Sequence, residues 1–260
     1  MKLLAFDTST ERLSIAVSRD DGAAAGLWQY QGAGGAQAST DLIANVLRLM
    51  EQAGLALGAL DAICFGCGPG SFTGLRTACA VAQGLAFGAQ VPVLPINTLL
   101  AVAETARHSH LAHAQQGQVL ALLDARMDEV YQACYAFDCR NGGLRWRELQ
   151  PPRVGKPEAL AEHAQALAGP LTAAAGNAFA AYGDRLAGLE VALPRIACGP
   201  DACALLRLAP QLLADGQAVP AAQALPLYVR DKVAQTTAER AALRAAQPVS
   251  AAVPAGSAAP

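Results

Sequence analysis

The sequence predicts an α/β chain built of two related lobes. Three observations carry this. An apolar strand ending in Asp, a short turn and a returning strand occur twice, at Leu3-Leu4-Ala5-Phe6-Asp7 and at Leu120-Ala121-Leu122-Leu123-Asp124. Each copy opens a stretch of similar size, as a duplicated unit would. Stripes of helical period alternate with short buried-strand patterns between and after them. A single pair of such units also arises by chance, so coincidence stays open as the alternative.

The first unit is a hairpin. Residues 2–8 form an apolar run, and Leu13, Ile15 and Val17 then alternate with Ser14, Ala16 and Ser18. Gly22 and Gly26 punctuate, Leu27-Trp28-Gln29-Tyr30 adds a third strand, and residues 32–38 read as a loop of small residues. A helix is expected from a cap at Ser39 or Thr40 to Gly54. Leu42, Ile43, Val46, Leu49, Met50 and Ala53 recur at helical spacing there, and Leu47 widens the stripe. Residues 61–66 read as a buried strand that enters a glycine-rich turn, followed by a helix to about Phe87. Residues 91–96 carry two prolines and read as an edge strand. Another helix covers 98–106.

The second hairpin comprises residues 119–124, a turn at Ala125-Arg126-Met127-Asp128 and a return over 130–137. Helical patches follow at 158–167 and 201–214, with a short strand at 171–176. Residues 225–230 read as a last extended segment. From about Gln235 a fraying helix to about Ala246 and a disordered Ala/Pro/Ser/Gly tail are expected. The expected organisation is one lobe over 1–105, a second over 106–232 and a tail over 233–260. A helix near 200–214 is a candidate to pack back on the first lobe.

Composition narrows the class. The 260 residues carry 19 basic and 21 acidic side chains, a net charge of −2, and a pI near 6.1. Lys and Arg dominate non-specific binding to nucleic acid, so this chain alone is a poor candidate for it. The 53% hydrophobic content and mean hydropathy of +0.26 exclude disorder over most of the length. Roughly a quarter of the residues are Ala, far above usual usage. No run of about 18 apolar residues would span a membrane. The apolar stretch before Asp7 is too short for a signal peptide. Seven cysteines in a long chain do not form a disulfide framework, so a cytoplasmic protein with reduced thiols is expected.

The strongest local signal is Gly68-Pro69-Gly70-Ser71-Phe72-Thr73-Gly74-Leu75-Arg76. Glycines between a strand and a helix let backbone amides approach an anion at the helix N-terminus. They equally make a tight turn capped by Ser71 or Thr73. The segment is neither a P-loop nor a nucleophile elbow. In the following helix Thr77, Ala80, Gly84 and Gly88 fall on one side. A mid-helix Gly costs about 1 kcal/mol against Ala, so Gly84 points to close approach of another element. That element is the chain's own sheet or a partner's helix. Asp7-Thr8-Ser9 resembles the phosphate hairpin of actin-like ATPases but lacks the Gly that follows the Asp there, and Asp124-Ala125-Arg126 lacks it too. A capped turn is the preferred reading of both. Cys64 and Cys67 form a C-x-x-C with no second pair, and read as buried small residues. His108, His110 and His113 read as a solvated connector, since i and i+2 point apart on a helix.

Five motifs in order resemble the bacterial TsaB family, the smaller paralogue in the glycoprotease-like group that makes threonylcarbamoyladenosine on tRNA. They are Leu4-Ala5-Phe6-Asp7-Thr8-Ser9, Gly68 to Arg76, Ala82-Gln83-Gly84-Leu85-Ala86, Asp124-Ala125-Arg126-Met127 with Glu129-Val130-Tyr131, and Pro226-Leu227-Tyr228-Val229-Arg230. The resemblance implies the fold of actin-like and sugar-kinase-like ATPases, two related α/β lobes. It implies a non-catalytic subunit that pairs with and activates the larger paralogue TsaD, with the small ATPase TsaE joining the pair. Metal, ATP and the transfer chemistry then belong to the partner subunits, with no cofactor on this chain. The group goes to the adenosine beside the anticodon of tRNAs reading A-starting codons, so tRNA is reached indirectly. Many relatives carry a His just before the first helix, where this chain has Ala38, and a Pro where it has Ala44. The missing His weakens any metal site. The missing Pro implies a regular helix start.

The family pairs through the first two helices of the N-terminal lobe. The candidate interface is therefore Leu42, Ile43, Val46, Leu49, Met50, Thr77, Ala80 and Gly84. The rival reading is a stand-alone ATPase or glycoprotease-like peptidase, and a homodimer through the same helices is the expectation without a partner. No nucleophile–base or metal constellation supports the rival.

Overall fold

The computed structural model describes residues 1–20, 22, 25–140, 143–165, 169–186, 189 and 193–230. The expected fraying helix and tail beyond Gln235 lie outside the described residues, as does the end of the helical patch at 158–167. Ten strands form two five-stranded sheets among the described residues. The first is β3-β2-β1-β4-β5, from β1 (Lys2–Asp7), β2 (Arg12–Asp20), β3 (Ala25–Ala33), β4 (Ala62–Gly68) and β5 (Val93–Asn97). The second is β10-β9-β6-β7-β8, from β6 (Gln116–Asp124), β7 (Val130–Asp138), β8 (Arg145–Gly155), β9 (Ala173–Gly176) and β10 (Arg195–Ala197). In each sheet the opening hairpin pairs antiparallel, and its first strand then pairs parallel with a later one. The two topologies are the same, strand for strand. The repeated Asp-terminated hairpin is therefore a true duplication.

Six α-helices complete the described chain: α1 (Ala36–Gln52), α2 (Phe72–Ala89), α3 (Thr98–His110), α4 (Leu160–Gln165), α5 (Ala178–Tyr182) and α6 (Ala202–Ala214). Alternation within β1 shows how they are layered. Leu4 and Phe6 point to the face covered by α1 and α2, while Leu3 and Ala5 point to a second core shared with α3 and α6. In the second sheet, Leu120 and Leu122 point toward α4 and α5, while Val119 and Ala121 join the shared core. The shared layer is rich in small residues, among them Ala5, Ala16, Ala62, Ala121, Ala133, Ala173, Ala175 and Ala204. These alanines let two sheets and two helices approach closely.

The two inner helices cross between lobes. Helix α6 packs on β1, β2, β4 and β5 of the first sheet, although it follows the second. Helix α3 packs on β6, β7 and β9 as well as on β4 and β5, and touches α6. Glu104 of α3 pins this layer. Its fully buried carboxylate accepts from Arg107 at 2.7 and 2.9 Å, Arg207 of α6 at 2.6 Å and Trp146 Nε1 of β8 at 3.1 Å.

Three expectations are corrected. Helix α1 starts at Ala36, not after a Ser39 or Thr40 cap; Gly35 precedes it with no side-chain cap. Ala38 is buried and extends the apolar stripe of Leu42 and Val46 back by one turn, while Ser39 and Thr40 face solvent. The expected loop over 32–38 shrinks accordingly, since β3 runs to Ala33. Strand β8 is an addition to the expected elements, and it carries Pro151 and Pro152 within it. It lies at the sheet edge, and both prolines fall in a register shift against β7, where neither has a paired residue. No helix among the described residues is long and apolar enough to cross a membrane.

Candidate functional site

The first hairpin turn is sealed by the glycine motif. Asp7 ends β1 at 1% exposure. Its Oδ1 accepts from Ser9 N at 2.9 Å and Ser9 Oγ at 2.7 Å, while Oδ2 is buried without a hydrogen bond. Burial pushes the carboxyl up to about 6. Gly66 leaves the room for it, since a Cβ there would stand 1.8 Å from Oδ2. Ser71, not Thr73, caps α2, accepting from Gly74 N at 3.4 Å. Gly70 and Gly74 lie directly on the turn, where a Cβ would meet Ser9 O at 2.6 Å and Thr8 O at 1.9 Å. Thr8 Oγ1 donates to Gly74 O and Ser71 N to Ser9 O, both at 2.7 Å. Gly68 N donates to Thr98 Oγ1 at 3.1 Å, and Pro69 continues the loop. The loop's glycines serve close packing of backbone on backbone, which supports the capped-turn reading.

The second turn is held differently. Asp124 Oδ1 accepts from Tyr182 Oη at 2.7 Å and from Arg126 N at 2.8 Å. Partial burial and the Asp124 carboxylate push Tyr182 up to about 12. Arg126, Met127 and Asp128 all adopt left-handed φ values of 53–64°. Asp128 is gripped by Arg185 and Lys156, and the Arg185 guanidinium draws its carboxyl down to about 2. Arg126 then reaches across to Glu11 in the first turn at 2.5 Å. The fold thus sets the two Asp-bearing turns face to face and joins them through its own side chains.

The end of the described chain meets the glycine motif. Leu227 N donates to Cys67 O at 2.7 Å. Arg76 lies 3.8 Å from the Phe72 ring centroid and donates to Tyr228 Oη at 3.0 Å. The Phe72 and Tyr228 centroids are 5.5 Å apart. Two motifs some 150 residues apart thus form one cluster.

On the outside of the first sheet, α1 and α2 divide the candidate interface residues. Leu42, Val46, Leu49 and Met50 are buried in the chain's own core and have no surface to offer. Thr77 is half-buried. Ile43 is 45% exposed, and Ala80 and Gly84 face solvent. Nothing lies within 4 Å of where a Cβ on Gly84 or Gly88 would stand, so the sheet does not explain these glycines. Two residues join the exposed set that sequence reasoning did not assign to it. Leu47 is 50% exposed and Phe87 72%. Leu47 was visible as a widening of the apolar stripe. Phe87 stands at the helix end expected from sequence, whereas α2 runs on to Ala89.

Cys64 and Cys67 are buried free thiols, both pushed up to about 12 by desolvation. His108 and His110 are exposed at the end of α3. Among the described residues no three His, Cys, Asp or Glu side chains are grouped to hold a metal ion.

Comparison with known proteins places these features. Residues 36–247 match the family model described as TsaD, tRNA N6-adenosine threonylcarbamoyltransferase. The chain is 34% identical to the tRNA threonylcarbamoyladenosine biosynthesis protein TsaB of Escherichia coli, over 90% of this chain and 96% of that one. It is 33% identical to TsaB of Haemophilus influenzae, over 90% and 95%. A solved structure of YeaZ from Pseudomonas aeruginosa superposes with a TM-score of 0.71 at 37% identity, over 87% of this chain and 99% of that one.

Proposed function

The chain belongs to the TsaB family of tRNA threonylcarbamoyladenosine biosynthesis proteins, and from that we propose that it is the non-catalytic subunit that binds and activates TsaD. The observation that carries this reading is the exposed face of α1 and α2. Ile43 and Leu47 on one helix and Ala80, Gly84, Phe87 and Gly88 on the next leave apolar area and small residues in solvent. An apolar patch of this kind marks an interaction surface. Glycine and alanine let a partner helix approach closely, while Ile43, Leu47 and Phe87 supply the area to bury.

The turns support a role without chemistry of its own. Asp7 is shut in by Gly66 and the glycine loop, and Asp124 is occupied by Tyr182 and Arg126. ATP and metal then act on TsaD and TsaE, and the net charge of −2 favours reaching tRNA through those partners.

Gly84→Leu tests the reading. The open space at Gly84 means that the variant leaves the isolated chain folded. Loss of co-purification with the cognate TsaD, at a melting temperature no lower than the parent's, is the expected result. Undiminished pairing would remove the interface assignment. Light scattering of the chain alone shows whether the same face forms a homodimer. Tight binding and turnover of ATP by the isolated chain would favour a stand-alone ATPase instead.

A further inference from the structure

A second surface stands apart from the α1–α2 face and does not depend on it. A half-open cavity of about 480 Å³ lies where β6 begins, β7 ends and β8 begins. Its charged lining is Asp138, Arg140, Arg145 and Arg147. On β8 the period of two sends Trp146 into the shared core, and Arg145 and Arg147 to the opposite, exposed side. The strand register puts Gln118, Ala136 and Arg147 in one cross-strand row. The methyl group of Ala136 is what leaves the row hollow at its centre.

The charges in this cavity do not cancel. Arg140 pairs with Asp138 at 2.5 Å and holds that carboxyl down at about 2, so the acid stays ionised. Arg145 pairs with Asp215 at 3.1 Å. Arg147 has no ion partner among the described residues. Thr172 Oγ1 accepts from Gln118 N at 3.0 Å, which leaves its hydroxyl hydrogen to donate. Guanidinium groups from three positions, one of them unmatched, and a hydroxyl donor thus surround a space within the range of small-ligand sites. Arginine forks suit tetrahedral oxyanions, because each offers parallel N–H donors to two oxygens.

We infer that this cavity binds a phosphate group, with Arg147 as its principal ligand and Ala136 providing the space. The phosphate comes from a small phosphate ester or from an RNA backbone, and the chemistry of recognition is the same for both.

Amide NMR of the full chain tests this. Titration with inorganic phosphate should shift the amides around Gln118, Ala136 and Arg147 in a saturable way. Arg147→Ala should weaken that binding about tenfold, the loss of one charge-assisted pair. Ala136→Leu fills the hollow without touching a charge and should abolish binding, whereas diffuse surface attraction would survive it. The spectra themselves report that both variants are folded. Ribose 5-phosphate and a short single-stranded RNA distinguish the sources. Tighter binding of the RNA with a steep salt dependence identifies backbone phosphate. Equal or weaker binding identifies a free ester. The inference is overturned if phosphate produces no saturable shift, if acetate at equal ionic strength does as well, or if both variants bind as the parent does.

Discussion

Arg126 and Glu11 form an ion pair at 2.5 Å that joins the turns of the two duplicated hairpins. The pair is conspicuous but weak. Its side chains are 67% and 80% exposed, and ion pairs in such surroundings contribute about 0–1 kcal/mol. Glu11→Ala should therefore move the melting temperature by no more than about 3 °C, and less in high salt. A larger loss measured by calorimetry would show that the turns depend on this contact.

Glu104 presents the opposite case. It is fully buried, with two guanidiniums and an indole N–H on its carboxylate. Removing one partner of a buried ion cluster strands the others and costs about 3–5 kcal/mol. Glu104→Ala should show that loss in urea unfolding. Arg207→Ala, at the rim, should cost less.

Asp7 should leave a signature in the pH dependence. Its carboxyl rises from 3.8 to about 6 on folding, because burial disfavours the charge. The folded chain then binds the proton more tightly than the unfolded chain. The Asp7 contribution to stability falls as pH rises from about 4 to about 6 and is level above that. Asp7→Asn retains an acceptor for Ser9 and carries no charge. Its stability relative to the parent should climb across that window, by on the order of 1–3 kcal/mol. Urea midpoints of both proteins at pH 4.5 and pH 7 measure it, and parallel pH profiles would refute it.

Two glycines of α2 should respond in opposite ways to the same change. Gly74→Ala drives a methyl group onto Thr8 O and should destabilise by about 1–3 kcal/mol. Gly84→Ala meets nothing and should stabilise the isolated chain by about 0.5–1 kcal/mol, through helix propensity. Melting temperatures of the two variants decide between packing and propensity at each position.

Phe87 should be an energetic anchor of the proposed TsaD contact. It is the most exposed of the large apolar side chains on α1 and α2. Phe87→Ala should leave the unfolding transition of the isolated chain unchanged but weaken TsaD affinity by about 1.4 kcal/mol, tenfold, in calorimetric titration.

Local periodicity made most of this architecture legible. Leu3 to Asp7 and Leu120 to Asp124 could be matched because each is the central strand of its sheet and is apolar on both faces. Strand β8 escaped because its prolines carry a penalty that an edge position and a register shift remove. The start of α1 escaped because Ser39 looks like a cap, although burial of Ala38 outweighs it. At the candidate interface, spacing alone could not separate Leu42 from Ile43. Only the packing of the first sheet shows that one is inside and the other outside. The glycine motif was legible as a turn, but the backbone it packs against lies some 60 residues away and leaves no local mark.

The crossing of α6 has a consequence for synthesis on the ribosome. Every strand of the first sheet has been made once Asn97 has been added, yet the helix that covers its inner face ends only at Ala214. At typical translation rates that interval is on the order of ten seconds. Helix α3 follows at once over β4 and β5, but the nascent first lobe must wait that long with the inner face of β1 and β2 unclosed.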